Sequence, residues 1–405
     1  MKAFLSALIC IAFSLSSYGQ WQPLPKTIAS QLVINAVSED TLNVAGYSGI
    51  FLRSVDGGNS YTEDSLDLFG GWMLDMQFTS NHVGYACGGT AFGQYSSPIV
   101  KTTNGGVTWD TLVTNRFGFE LSCLHFVSEQ LGFFGGAGFM VSTSNGGNTF
   151  SVDTVGSTGI SDIHFFNALD GIVVGNQTVL RTGDGGQTWD TTLVDTTLST
   201  GWYTGKLQFP NNGSTGFYLN RDNYLFKSND GGLSWNSMGQ ITDSLSMVDF
   251  QFTSTSVGFA CMSHPLFFHN RGFILATTDG GLSWSKVAQS DTGSFTQISM
   301  VDDKVGYAST YDRIYKTTNG AALSNVSSTF EFLEVYPNPA HAYVSVNMEN
   351  ERLTSVKLLT VSGELVRTFD PEERKLCIKG ISPGTYLLQL EEASGVGSTT
   401  KLIIQ

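Results

Sequence analysis

Short apolar runs broken by Gly, Asn and Asp fill most of this chain, and long helical periodicity is missing. Val, Ile, Phe, Thr and Tyr dominate the runs, so the pattern predicts an all-β protein. One order of segments recurs. A strand ending in Phe comes first, as in LDMQF (74–78), SCLHF (122–126), SDIHF (161–165), GKLQF (205–209) and VDFQF (248–252). A polar turn leads to a Gly-aromatic strand, as in VGYACGG from Val83, LGFFGG from Leu131 and VGFAC from Val257. A third short strand such as VLRT (179–182) follows. Then comes a compact turn motif, and a fourth strand led by Trp or a substitute.

The turn motif, hereafter the box, has seven copies. They are SVDGGNSY (54–61), TTNGGVTW (102–109), TSNGGNTF (143–150), TGDGGQTW (182–189), SNDGGLSW (228–235), TTDGGLSW (277–284) and a decayed TTNGAALS (317–324). Their acidic or amide positions are Asp56, Asn104, Asn145, Asp184, Asp230, Asp279 and Asn319, at intervals of 39 to 49 residues. Such a period predicts a circular or solenoidal array of four-stranded units. The Asp or Asn side chain is expected to accept backbone N–H bonds from two or three residues on. The Gly pair supplies positive φ, and the closing aromatic packs between neighbouring sheets. Burying that ring is worth roughly 2–3 kcal/mol. The boxes are therefore expected to be structural. The seventh lacks its Trp, whereas WQPLP from Trp21 resembles a fourth strand without a blade. Trp21 to Leu24 are expected to complete blade seven and close the ring, removing exposed edges. The fold expected is a seven-bladed β-propeller over 20–328.

The boxes resemble the Asp-box (bacterial neuraminidase, BNR) repeat. The stretch GYACGG with KTTNGGVTW (84–109) looks most like the single-propeller photosystem II assembly-factor family within the sialidase-like superfamily. That resemblance covers the propeller and implies fold more than function, because such propellers include glycosidases, receptors and assembly factors. The tail carries a second resemblance. VYPNPA (335–340), YVSVNM (343–348), VKLLTVSGELV (356–366), ISPGTYLLQL (381–390) and KLIIQ (401–405) resemble, in order, the type A C-terminal sorting domain of the type IX (Por) secretion system. Read by themselves, these strands and turns predict a small Ig-like β-sandwich over 329–405. The resemblance implies Sec export, periplasmic transit and passage to the cell surface or medium, with the type IX machinery as a partner.

The termini and composition fit that route. Lys2, the apolar 3–13 stretch and Ser17-Tyr18-Gly19 read as a signal peptide over 1–19. No later segment is long enough to span a bilayer. A net charge of −14 argues against nucleic-acid or anionic-lipid partners. Cys87, Cys123, Cys261 and Cys377 are scattered in strand-like runs and are expected as buried free thiols. His264 and His269 match no metal-ligand spacing, so neither metal nor cofactor is expected. DTL and DSL at Asp40, Asp64, Asp110 and Asp243 look like O-glycosylation sites, and also arise from ordinary strand chemistry.

Candidate binding residues lie in irregular connections on the face opposite the boxes. They are Trp72, Tyr95, Arg116, Trp202, Tyr203, Phe267, Phe268 and Arg271. Aromatic platforms on a rigid scaffold suit a sugar ring or a peptide. The first strands add Asp75, Cys123, Asp162, Lys206 and Asp249, with Gln77, His125, His164, Gln208 and Gln251 two positions later. Alternation places both sets on one side of each strand. They serve either acid/base chemistry on a glycosidic bond or a layer of inter-blade hydrogen bonds, and their recurrence favours the second. A sialidase would need converging arginines. Of Arg53, Arg116, Arg181, Arg221, Arg271 and Arg313, three (Arg53, Arg181 and Arg313) sit beside boxes or in third strands. The expectation is a secreted or cell-surface, non-catalytic binding propeller for glycan or protein. The alternative is a glycoside hydrolase of sialidase-like or xyloglucanase-like type.

Overall fold

The computed structural model describes residues 21–27, 33–66, 71–90, 97–113, 117–156, 159–197, 205–242, 245–263, 272–290, 293–320, 334–347, 353–361, 363–371, 373, 375–392 and 397–405. The chain forms two compact units, residues 1–324 and 325–405. The first is a seven-bladed propeller. Six blades are four consecutive antiparallel strands, over 33–65, 71–113, 121–154, 162–194, 205–240 and 246–290. The seventh joins Phe295–Met300, Gly306–Thr310 and Arg313–Thr317 to Gln22–Thr27, strand order running outward to that N-terminal segment. Gln22 pairs with Lys316 and Pro23 with Tyr315. The expected closure of the ring by the segment from Trp21 is therefore present. Trp21 is buried among Phe259, Ile274, Phe295 and Tyr315.

Side-chain volume explains why each blade reads Phe then Gly. The Phe ending a first strand is paired with the Gly opening the second, as Phe78 with Gly84 and Phe126 with Gly132. A Cβ on Gly132 would lie 2.3 Å from the Phe126 ring. The aromatic that follows the Gly stacks on the next blade's terminal Phe. Tyr85 lies 3.7 Å from Phe126, Phe133 3.6 Å from Phe165 and Phe217 3.5 Å from Phe252, centroid to centroid. These stacks tie blades 2 to 3, 3 to 4 and 5 to 6, and add roughly 0.5–1.5 kcal/mol each beyond burial.

The boxes close as turns with one correction. Asp56 Oδ1 accepts from Ser60 N, four residues on, at 2.9 Å, and Asp184 Oδ1 from Thr188 N at 2.9 Å. The donors two and four residues past the box head go instead to its hydroxyl, as Asp56 N and Gly58 N to Ser54 Oγ. Both box glycines are left-handed, Gly185 at φ 78° and Gly186 at 94°. That double turn swings the fourth N–H back onto the carboxylate. Hydrogen bonds from Thr188 and Thr182 hold the Asp184 carboxyl at about 2. The closing Trp109 stacks on Phe51 of the preceding blade at 4.6 Å, as the packing role required.

The second unit is a β-sandwich. A three-stranded sheet of Glu334–Tyr336, Tyr343–Asn347 and Lys375–Cys377 faces a four-stranded sheet built on Leu353–Thr360 and Gly384–Glu392. Val344, Val346 and Leu376 of one sheet share a core with Val356, Leu358, Leu388 and Leu390 of the other. Cys87, Cys123 and Cys261 are buried free thiols as expected, whereas Cys377, at the end of a short edge strand, is only half-buried.

Candidate functional site

The innermost strands of the seven blades carry the polar residues that alternation placed together. Their carboxylates and amides are spent on the neighbouring blade. Asp75 Oδ2 accepts from Leu124 N at 2.8 Å, Asp162 Oδ2 from Leu207 N at 2.7 Å and Asp249 Oδ2 from Ile298 N at 3.0 Å. Gln77 and Gln251 each grip one residue of the next blade through both amide atoms, at Phe126 and Met300. Gln208 accepts from Phe252 N. Gln297 and Ser299 repeat the pattern across the ring closure, accepting from Ile34 N at 2.8 Å and Ala36 N at 2.9 Å. His125 stands in a Gln position and its Nδ1 accepts from Phe165 N at 3.4 Å. Of the two readings left open for these residues, the geometry is that of inter-blade clasps.

Lys206 departs from the pattern. Its Nζ lies 3.8 Å from Asp249 Oδ1, and its side chain keeps 30% of its surface accessible. Burial works against the ammonium, but Asp249, Asp162 and Asp75 outweigh it and hold the group protonated above its ordinary range. Burial pushes Asp162 up to about 6, with Lys206 opposing. It raises Asp75 and Asp249 in the same way. Burial also lowers His164 to about 4, and His125 well below the usual imidazole value.

The box face carries a second set of clasps that sequence reasoning missed. The residue before the box head is basic in five of seven blades: Arg53, Lys101, Arg181, Lys227 and Lys316. Arg53 Nε donates to Gly105 O at 2.8 Å and Lys101 Nζ to Gly146 O at 2.9 Å, each in the next blade's box. The ammonium groups of Lys227 and Lys316 lie where a side chain on Gly280 or Gly57 would have to go. Lys101, Lys227 and Lys316 also cover the rings of Tyr85, Phe217 and Tyr307. The fixed position before the box was the signal. Arg53 and Arg181 are thus held in seams, while Arg313 lies beside Asp312, 3.7 Å apart.

On the opposite face, Trp72 is the one proposed binding residue within the described set. Tyr95, Arg116, Trp202, Tyr203, Phe267, Phe268 and Arg271 lie outside the described residues, as do His264 and His269. Trp72 is half-buried, and Tyr47, 37% exposed, meets it edge-on at 5.7 Å. The two also pair through their backbones. The Trp72 side chain hydrogen-bonds the Glu120 carboxylate. Partial burial raises Glu120 above the ordinary carboxylate range, and the Trp72 bond opposes that rise. Phe139, 36% exposed, stacks on Phe119 at 4.7 Å. Buried Asp195 braces this face further round, accepting from Tyr218 Oη at 3.0 Å, Asn220 Nδ2 at 2.7 Å and Thr197 N at 3.0 Å. Tyr47, Glu120 and Asp195 stand in short connections without a compositional flag. Among the described residues no group of His, Cys, Asp and Glu could hold a metal ion.

Comparison with known proteins agrees with this architecture. Residues 155–238 match the family described as photosynthesis system II assembly factor YCF48, and residues 334–405 match the secretion system C-terminal sorting domain. No curated protein matches the sequence. Among solved structures, YCF48 from Cyanidioschyzon merolae is similar at 14% identity and TM-score 0.56, over 73% of this chain and 98% of that one. YCF48 bound to D1 peptide is similar at 14% identity and TM-score 0.56, over 75% and 97%. The GH74 enzyme of Niastella koreensis is similar at 13% identity and TM-score 0.58, over 94% and 73%. At these identities the likeness is one of fold. The first unit is therefore a BNR-like propeller. With the tail, the chain is a BNR-like propeller joined to a Por secretion tail, which implies export through the type IX machinery. No helix of the described residues is long and apolar enough to cross a membrane.

Proposed function

We propose that the propeller is a non-catalytic binding module, displayed on the cell surface or released, which takes a glycan on the face opposite the boxes. The observation that carries this reading is how the inner-strand carboxylates are used. Asp75, Asp162 and Asp249 each give an oxygen to the next blade's backbone. A general acid or base needs its oxygen turned toward substrate. The partly exposed polar-aromatic group on the other face has the make-up of a sugar platform. Tyr47 and Trp72 offer ring faces and Glu120 offers an acceptor for hydroxyl groups.

The test uses the full chain on a panel of plant, fungal and bacterial polysaccharides and sialylated glycans. Retention and newly formed reducing ends are read together. The expected result is retention without product, weakened about tenfold in Trp72→Ala, which corresponds to about 1.4 kcal/mol. New reducing ends would overturn the reading in favour of a glycoside hydrolase. Absence of both signals would shift it to a protein ligand.

A further inference from the structure

The propeller's repeats depart from their own pattern in several ways, and several of the departures meet at one seam. In blades 2, 3, 6 and 7 the residue before the Gly-aromatic strand is apolar: Val83, Leu131, Val257 and Val305. Val83, Leu131 and Val257 pack against buried cores. Blade 4 has Asp170 there instead, 39% exposed in its side chain. The first-to-second turn of blade 5 is one residue longer than those of blades 2, 3, 4, 6 and 7. It takes the form of a short 3-10 turn, Pro210–Asn212, with Asn211 and Asn212 both left-handed at φ 55° and 53°. Asn is among the non-glycine residues that enter that region most readily, and two in succession give this turn its shape. Arg181, the pre-box residue of blade 4, reaches Gly231 O at only 3.3 Å, against 2.8 Å for Arg53 in blade 1, and bonds Asp170 at 3.1 Å. Between these elements lies an open cavity of about 280 Å³, lined by Phe166, Asn167, Asp170, Arg181, Asn212 and Ser214.

We propose that this seam between blades 4 and 5, on the box face, binds one neutral sugar ring. Size is the first argument. The cavity falls just below the roughly 300–1,000 Å³ of drug-sized sites, so it suits a single ring rather than an oligomer. Chemistry is the second. Asp170 Oδ1 and Oδ2 accept from Arg181 Nη2 and Asn167 Nδ2, at 3.1 and 3.0 Å, and carboxylate oxygens accept further bonds. The guanidinium has more donors than these two bonds use. Adjacent sugar hydroxyls can therefore donate to Asp170 and accept from Arg181 together, with the Ser214 hydroxyl at the rim. The half-buried Phe166 ring supplies an apolar wall. It is fixed edge-on against Phe209 at 4.8 Å, and Asn212 Nδ2 donates to its carbonyl at 3.1 Å. Charge is the third argument. The Arg181 cation is already paired, and the chain carries −14, so an anionic sugar gains nothing and meets Asp170. The site is independent of the Trp72 platform, which lies on the opposite face.

The experiment is ligand-observed saturation-transfer NMR on the full chain. The probes are glucose, galactose, mannose and N-acetylglucosamine, set beside glucuronic and sialic acid. The expected result is transfer to at least one neutral sugar, reduced fivefold or more by Ser214→Trp. Ser214 is exposed, so the indole fills the cavity from the rim without entering a core. Asp170→Asn provides a second variant, which keeps the shape and loses the stronger acceptor, and the same direction of loss is expected. In a Trp72→Ala background the seam variants should still lower the signal, whereas Trp72→Ala alone weakens polysaccharide retention, so the two sites fail separately. The proposal is overturned by no transfer from any neutral sugar, by stronger transfer from the acids, or by unchanged transfer in both seam variants at wild-type melting temperature.

Discussion

Trp21→Ala is expected to lower the melting temperature of the propeller by about 6–15 °C. Replacing a buried Trp by Ala costs about 3–5 kcal/mol, and each kcal/mol moves a domain of this size by roughly 2–3 °C, the low end of the range for somewhat smaller ones. Trp21 is 7% exposed and sits among residues of blades 6 and 7, although it comes from the other end of the propeller sequence. Its loss leaves a void at the one seam where the ring is closed by non-consecutive strands. A chain starting at residue 28 goes further. It lacks the whole segment Gln22–Thr27 and exposes the edge of Arg313–Thr317. An unpaired edge of that kind recruits other chains. The truncated protein is expected to elute as aggregate, while a chain starting at residue 20 elutes as a compact species. Scanning calorimetry and size exclusion read both effects. A Trp21→Ala melting temperature within 2 °C of wild type would show that closure does not rest on this contact.

Much of that seam is legible in the sequence. Box seven lacks its aromatic, and WQPLP supplies an aromatic followed by a strand without a blade. Both facts are local and they complement each other. The clasps around the axis were legible in kind and not in partner. Alternation puts Asp75 and Gln77 on one side of their strand, but nothing nearby names Leu124 and Phe126 as the groups they hold. The repeat does so at a distance. Asp75 to Leu124, Gln77 to Phe126, Asp249 to Ile298 and Gln251 to Met300 are all separated by 49 residues. Box chemistry was legible in residue type and misjudged in reach, because two left-handed glycines in succession curl the chain further than a single Asx turn.

The candidate site was less legible, for a physical reason. A recognition surface on a propeller is assembled from connections far apart in sequence, and one ring in each carries no periodic signal. Trp72 stood out as Trp in a Gly-rich stretch. Tyr47 and Glu120, which hold it from the two neighbouring blades, did not. The blade 4–5 seam shows a more readable kind of signal. Asp170 stands where four other blades have Val or Leu, and Pro210–Asn212 lengthens a turn of otherwise constant length. In a repeat protein the repeat predicts the structural residue at each position, so several breaches meeting at one place mark residues that packing did not select.

Lys206→Met is the second large effect expected, and its size should depend on pH. The ammonium faces Asp75, Asp162 and Asp249, with the Cys123 thiol nearby. Removing one partner of a buried pair costs roughly 3–5 kcal/mol, and the 30% accessibility of Lys206 places it at the lower end. Asp162, at about 6 in the fold, lies above its unfolded value near 3.8. The folded protein therefore binds the extra proton, and stability falls as pH rises through that interval. Without Lys206 the three carboxylates rise further, so the fall continues to higher pH. The stability gap between wild type and Lys206→Met is expected to be widest near pH 8 and to narrow toward pH 5, which lies below the Asp162 value in the fold. His125 and His164 work in the other sense. Their folded values are depressed, to about 4 for His164, so both proteins lose stability as pH falls below about 6.5. That loss is common to the pair and cancels in the difference. Urea unfolding at pH 5, 6.5 and 8 measures it. A gap that stayed constant across the three would mean that Lys206 acts through its aliphatic packing and not through the charge it brings to the three aspartates. Asp249→Asn in the Met background should recover part of the loss at pH 8 and little at pH 5, because it removes one of the charges that Lys206 was holding in place.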